Sequence, residues 1–339
     1  RRSGPASRPE WPTMPASGQS GVLLSPQPAI RLVDALGNTV PTTGTIVTAA
    51  IASGTGTLGG TLTAATASGV ATFTNLTLTG TAGNFTLNFS AAPLTSVTSG
   101  AIALTAGAPA ALAFQVQPSN VASGASIAPA VQVRVVDGAG NLAGTATNSV
   151  TLSLASNPSG GVLGGTLTTA AVAGVATFSN LTIDRAGTGY ALGAAGAGLT
   201  GVTSAAFNVT AGAATRLAFL TQPTTTTAGA ALSPAVQVEI LDAVGNRVTT
   251  ATNTVTIAIG TNPGGSTLGG TASVSAVAGV ATFAGVSLNR TGTGYTLDAT
   301  SGALTPATSA AFDITPGAPA VLAIAQQPTG TSVGATIAP

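Results

Sequence analysis

The sequence predicts an all-β chain of three tandem β-sandwich domains, from a long internal repeat and from the strand pattern inside it. Leu-Gly-Gly-Thr begins at Leu58, Leu163 and Leu268, Gly-Val-Ala-Thr-Phe at Gly69, Gly174 and Gly279, and Gln-Pro at Gln117, Gln222 and Gln327. Each series steps by 105 residues. Self-similarity at a fixed period defines an architecture before local propensity is weighed. Within each repeat, short stretches alternate apolar and polar residues between Gly, Pro and Asn signals, and none has helical period.

The second repeat shows each element in turn. Residues 112–117 are a short apolar stretch closed by Pro118, as a first or edge strand is. Residues 131–136 alternate with period two, the mark of a strand with one buried face. Asp137-Gly-Ala-Gly-Asn141 reads as a turn, in which Asp initiates and Gly supplies positive φ. Residues 150–154 alternate again. Gly164-Gly165 and residues 166–168 follow, and 175–183 reads as a single longer strand. Residues 189–192 and 206–209 close the unit. About seven short strands in such a length are the signature of a β-sandwich. Boundaries at Thr105-Ala-Gly107, Thr210-Ala-Gly212 and Thr315-Pro-Gly317 divide the chain into domains 1–106, 107–211 and 212–316. Residues 317–339 then begin a fourth repeat.

Composition excludes several kinds of chemistry. The chain has no Cys, no His and no Lys, its nine basic residues all being Arg. Disulfides, zinc sites built on thiolate or imidazole, and Ser-His or Cys-His nucleophile pairs are ruled out. Lys-based cross-links are ruled out too. Eight acidic residues, mostly in turns, leave no paired carboxylates for acid–base catalysis, so no enzyme and no cofactor is expected. The scattered Arg residues offer no phosphate-binding cluster beyond Arg1 and Arg2, which argues against nucleic acid. No apolar run is long enough to span a membrane as a helix. Charged residues are only 5% of the chain, so copies repel one another weakly and self-association is favoured.

The motifs carry a resemblance. An Asp-x-x-Gly-Asn turn after an alternating strand (242–246), then Gly-Val-Ala-Thr-Phe (279–283), then Gly-Thr-Gly-Tyr (292–295), resembles the bacterial immunoglobulin-like repeats of invasin- and intimin-type surface proteins. It covers nearly the whole chain. The resemblance implies three tandem immunoglobulin-like β-sandwich domains and an extracellular or cell-surface spacer or adhesive stalk. A stalk whose loops grip a glycan or receptor is the competing reading, with loops 39–57, 142–162 and 247–267 as its candidates.

Asp34, Asp137 and Asp242 recur with Asn38, Asn141 and Asn246. Calcium takes six to eight oxygen ligands, usually with several carboxylates, so turn chemistry is the reading adopted and no metal is assigned. Tyr190 and Tyr295 start a late strand after a Gly-rich loop, as in the tyrosine corner of sandwich domains, and Phe85 stands at the matching place of repeat one. Phe73, Phe178 and Phe283 are expected in the core. Asn75-Leu-Thr77 and Asn180-Leu-Thr182 fit a glycosylation sequon but fall inside expected strands.

The two ends are mismatched. Pro9 and Pro12 make the first segment of repeat one a poor strand. Val321, Leu322, Ala323, Ile324 and Ala325 make a good first strand followed by little else of a repeat. Two readings stand: a longer array of repeats, or donation of 321–328 to the first domain of another copy. The partner in both is the repeat itself.

Overall fold

The structure, a computed structural model, describes residues 4–327, 330 and 332–336. Among them every regular element is a β-strand. The chain divides into two compact units, 1–210 and 211–339. The first unit holds two hydrophobic cores, one from each of the first two repeats, and the second unit holds the core of the third.

The 211–339 unit shows the plan most simply. Arg216–Thr221, Val236–Leu241 and Val280–Phe283 form one antiparallel sheet. Facing it, Thr254–Ile259 pairs with Leu297–Thr300, and Phe312–Thr315 pairs with Gly292–Tyr295 and with Thr226–Thr227. The 1–210 unit repeats the pairings. Ala111–Val116, Val131–Val136 and Val175–Phe178 share one sheet, and Gly187–Gly196 joins Ser149–Ser156 to Phe207–Thr210. In repeat one the same roles fall to Arg8–Thr13, Ala29–Val33 and Val70–Thr72, and to Gly83–Ser90 between Ile46–Ser53 and Ile102–Thr105.

Alternation puts the apolar face inward. Val131, Val133 and Val135 are buried, while Gln132 and Arg134 between them are half-buried. Each fully buried Val contributes about 2 kcal/mol of transfer free energy before ordering costs. Phe73, Phe178 and Phe283 are buried one in each core.

Two expectations need correction. The 175–183 stretch is two strands, Val175–Phe178 and Thr182–Ile183. Asn180 lies between them and turns away to lock another loop: its side-chain oxygen accepts the Thr166 N–H at 2.9 Å and its amide donates to the Thr166 hydroxyl at 3.1 Å. Asn75 and Thr61 repeat that lock in the first repeat. The first segment of repeat one does form a strand despite its prolines. Arg8, Pro9 and Glu10 stand opposite Val33, Leu32 and Arg31, and the register shift between Glu10 and Thr13, where Pro12 stands, recurs in the first strands of repeats two and three.

Residues 321–327 form no strand. Val321, Leu322 and Ile324 are exposed, Leu322 fully, whereas Leu112 and Leu217 at its repeat position are buried. Residue 328, the last of the segment singled out in the sequence, lies outside the described residues, as do Arg1 and Arg2.

Candidate functional site

The feature that recurs with full atomic detail is a turn tied to a linker. Asp34, Asp137 and Asp242 are all buried. In repeat two, one Asp137 oxygen accepts the Ala139 N–H at 2.9 Å and the Asn141 N–H at 2.8 Å. The other accepts the Asn141 side-chain amide at 2.9 Å and the Gly107 N–H at 2.6 Å. Asp242 takes the equivalent donors: Val244, the backbone and side chain of Asn246, and Gly212. Asp34 does the same with Leu36, Asn38 and Gly4. The linker glycine precedes its aspartate by 30 residues each time.

The donors dictate the ionisation state. Hydrogen bonds from the Asn38 side chain and backbone, with those of Gly4 and Leu36, hold the Asp34 carboxyl down at about 2. Burial pushes Asp137 upward, but the donors of Asn141, Gly107 and Ala139 together outweigh it and leave the carboxyl below its ordinary value. A carboxylate accepting several N–H bonds is a fixed anion and a poor proton carrier at neutral pH.

Repeat two adds a contact that repeat one lacks. The Asn141 amide donates to the Gly80 carbonyl at 2.9 Å, and its side-chain oxygen accepts the Ala82 N–H at 2.7 Å. Asn141 therefore closes on the preceding repeat while its aspartate holds the linker. Gly107 is required there: a Cβ would lie 2.6 Å from the Ser20 carbonyl oxygen and 3.3 Å from an Asp137 oxygen. Asn38 donates only to Asp34, and its side-chain oxygen has no hydrogen-bond partner among the described residues. Nothing in the local sequence separates Asn38 from Asn141; the difference lies in what packs beside each.

The late-strand aromatics fix the other end of each repeat. Tyr190 and Tyr295 are fully buried. Their hydroxyls donate to the Arg185 and Arg290 carbonyls at 2.9 and 3.0 Å, five residues upstream. Their rings pack on Phe207 and Phe312. Two facing sheets, this pairing order and a tyrosine bonded back across its corner define the fold. The repeat unit is an immunoglobulin-like β-sandwich. Phe85 stands in the same place in the first immunoglobulin-like repeat, buried and without a hydroxyl.

Among the described residues, no group of three or more acidic, His or Cys side chains converges to hold a metal ion. No helix there is long and apolar enough to cross a membrane. No known family model and no curated protein matches the chain. Solved structures do. The chain is similar to FdeC, a broadly conserved Escherichia coli adhesin, at 18% identity over 91% of this chain and 99% of that one, with a TM-score of 0.38. It is similar to the D00-D0 domain of intimin at 14% identity, over 60% of this chain and 98% of that one, with a TM-score of 0.34. Invasin, a bacterial integrin-binding protein, matches at 15% identity over 91% of this chain and 60% of its own, with a TM-score of 0.33.

Proposed function

We propose that this chain is a non-catalytic extracellular structural protein: a tandem immunoglobulin-like stalk or filament subunit at the cell surface. Its domains are 1–106, 107–211 and 212–316, and segment 321–325 is donated to another copy so that subunits join head to tail. The observation that supports the reading is the linker-to-turn bond, made three times at the same spacing. The bond fixes how the chain enters each repeat, and a mechanical spacer has to repeat that entry in every unit. The uncharged surface lets copies approach, and open head-to-tail contacts grow into filaments.

Single-molecule extension of the full chain tests the spacer. Three unfolding steps of equal length are expected. Each should release about 300–350 Å, from roughly 3.5 Å per extended residue less the folded span. One cooperative rupture, or steps of unequal length, would contradict three like domains in series.

A further inference from the structure

We infer that a seam in the first repeat, open beside Trp11, binds one pyranose ring of a glycan, the ring stacked on the indole and its hydroxyls bonded by Glu10 and the two arginines that hold it.

The same seam is stitched shut in the other repeats. In repeat three the Leu217 N–H donates to the Thr305 carbonyl at 3.0 Å, and the Thr305 N–H donates to the Thr215 carbonyl at 2.9 Å. In repeat two the Thr200 N–H donates to the Ala110 carbonyl at 2.9 Å, and Ala111 and Thr200 stand as parallel partners. Phe114 and Phe219, just along the first strand, lie half-buried against their cores.

Repeat one lacks the stitch for a chemical reason. Pro9 stands where Leu112 and Leu217 stand, and proline has no N–H to give. Thr95, the counterpart of Thr200 and Thr305, reaches the Ser7 carbonyl through its hydroxyl, at 3.5 Å. Trp11, the single tryptophan of the chain, takes the place of Phe114 and Phe219 yet is 42% exposed. Its indole N–H donates across the seam to the Thr98 carbonyl at 3.2 Å, which fixes the ring by one edge. Beside it opens a cavity of about 310 Å³ lined by Glu10, Trp11 and Val97. Repeats two and three carry Ala113 and Ala218 in place of Glu10, so ring and carboxylate meet in repeat one. The bonds that repeat one makes to repeat two fall on Asn141, outside the strand and loop that correspond to this seam.

The chemistry fits a sugar. A pyranose has an apolar face of C–H groups and a rim of hydroxyls, which calls for an aromatic plane with donors and acceptors around it. Glu10 accepts from Arg31 at 2.8 Å and from Arg8 at 2.8 Å. Those bonds, that of Arg31 foremost, hold its carboxyl below the ordinary value. Glu10 is therefore an anion with lone-pair capacity left for a hydroxyl, and each guanidinium keeps N–H groups for hydroxyl oxygens. The volume is at the low end of the roughly 300–1,000 Å³ of ligand pockets, which suits a single ring. Two positive charges against one negative turn away a quaternary ammonium, the other ligand that favours an exposed indole. An added peptide strand fits less well, because Pro9 withdraws the donor that this edge would offer it.

The single tryptophan makes the site its own reporter. The full chain is titrated with the methyl glycosides of glucose, galactose, mannose and N-acetylglucosamine. At least one should give a saturable change in Trp11 emission, half-complete at roughly 1–10 mM for a ligand of about a dozen heavy atoms. Glu10→Ala, which installs the residue of repeats two and three, should weaken that titration by about tenfold or more. The melting temperature should hold, since the exposed pairs it removes add little stability. Trp11→Phe should lose the sugar in saturation-transfer NMR. No saturable change with any of the four glycosides up to about 100 mM overturns the inference. So does a titration undiminished by Glu10→Ala, or a sugar signal unchanged by Trp11→Phe. A change of emission with the peptide acetyl-Thr-Val-Thr-Val-Thr-amide and with none of the sugars assigns the seam to strand addition and overturns it as well.

Discussion

Replacing Asp137 by Asn separates the charge of the turn from its shape. The side-chain oxygen of the substituted amide can still serve the Ala139 and Asn141 N–H groups. The other position becomes an NH2 facing two donors, the Gly107 N–H and the Asn141 amide, now held at 2.6 and 2.9 Å from the carboxylate. Hydrogen bonds to a charged acceptor contribute about 1.5–3 kcal/mol each, and a buried donor left unpaired adds its desolvation cost. The Gly107 bond is buried, so a loss of about 3–5 kcal/mol follows for repeat two. If that repeat melts on its own, its transition should drop by roughly 10–25 °C. Asp34→Asn alters the same set of bonds, but Gly4 is exposed and water can replace the carboxylate, so its effect should be clearly smaller. Differential scanning calorimetry of the two variants beside the parent decides. A shift of only a few degrees for Asp137→Asn, or equal shifts for both variants, would refute the claim that a buried linker amide depends on this carboxylate.

Acid should loosen the turns in a defined window. Asp34 and Asp137 have folded values below the unfolded Asp value of about 3.9, so their stabilisation is complete above it and lost as pH falls through the folded values, toward 2 for Asp34. Melting temperature followed by circular dichroism should be flat from about pH 5 to 8, where no His titrates, and should fall between about 4 and 2. Tyr295→Phe removes the bonds to the Arg290 and Thr291 carbonyls while keeping the ring. Urea unfolding should show repeat three weakened by about 1 kcal/mol. Ala173 sits at φ 50° beside Gly174 at φ 79°, in a two-residue hairpin closed by Val172 and Val175. Asn tolerates that left-handed geometry better than Ala, so Ala173→Asn should raise stability by about 0.5–1 kcal/mol in the same assay.

The sequence made some of this readable and hid the rest for physical reasons. The period and the alternation of residues such as 131–136 reveal the sandwich, because burial of one face writes itself every second residue. The Asp-x-x-Gly-Asn spelling reveals a turn, since its bonds are local. The bond from that aspartate to a glycine 30 residues upstream leaves no local trace. The crossing of Asn141 to Gly80 and Ala82 leaves none either, because Asn38 has the same local spelling and lacks the contact. Proline content marks 8–13 as a poor strand; it pairs nonetheless, with the same register slip as the first strands of repeats two and three and with the Glu10–Arg31 pair across it. Asn180 was hidden by a run of apolar neighbours that reads as continuous strand.

Gly107, Asp137 and Asn141 together make the junction between repeats one and two, on which the proposed stalk depends. Amide hydrogen exchange of the native full chain, read residue by residue, measures it most directly. The Gly107 and Ala82 N–H groups lie outside and at the margin of the strands, and their acceptors are Asp137 and Asn141. Both should exchange as slowly as amides within the Val131–Val136 ladder, and Asn141→Ala should release Ala82 while Gly107 stays protected. Exchange of Gly107 and Ala82 at the rate of free loops in the unmodified chain would contradict such a junction.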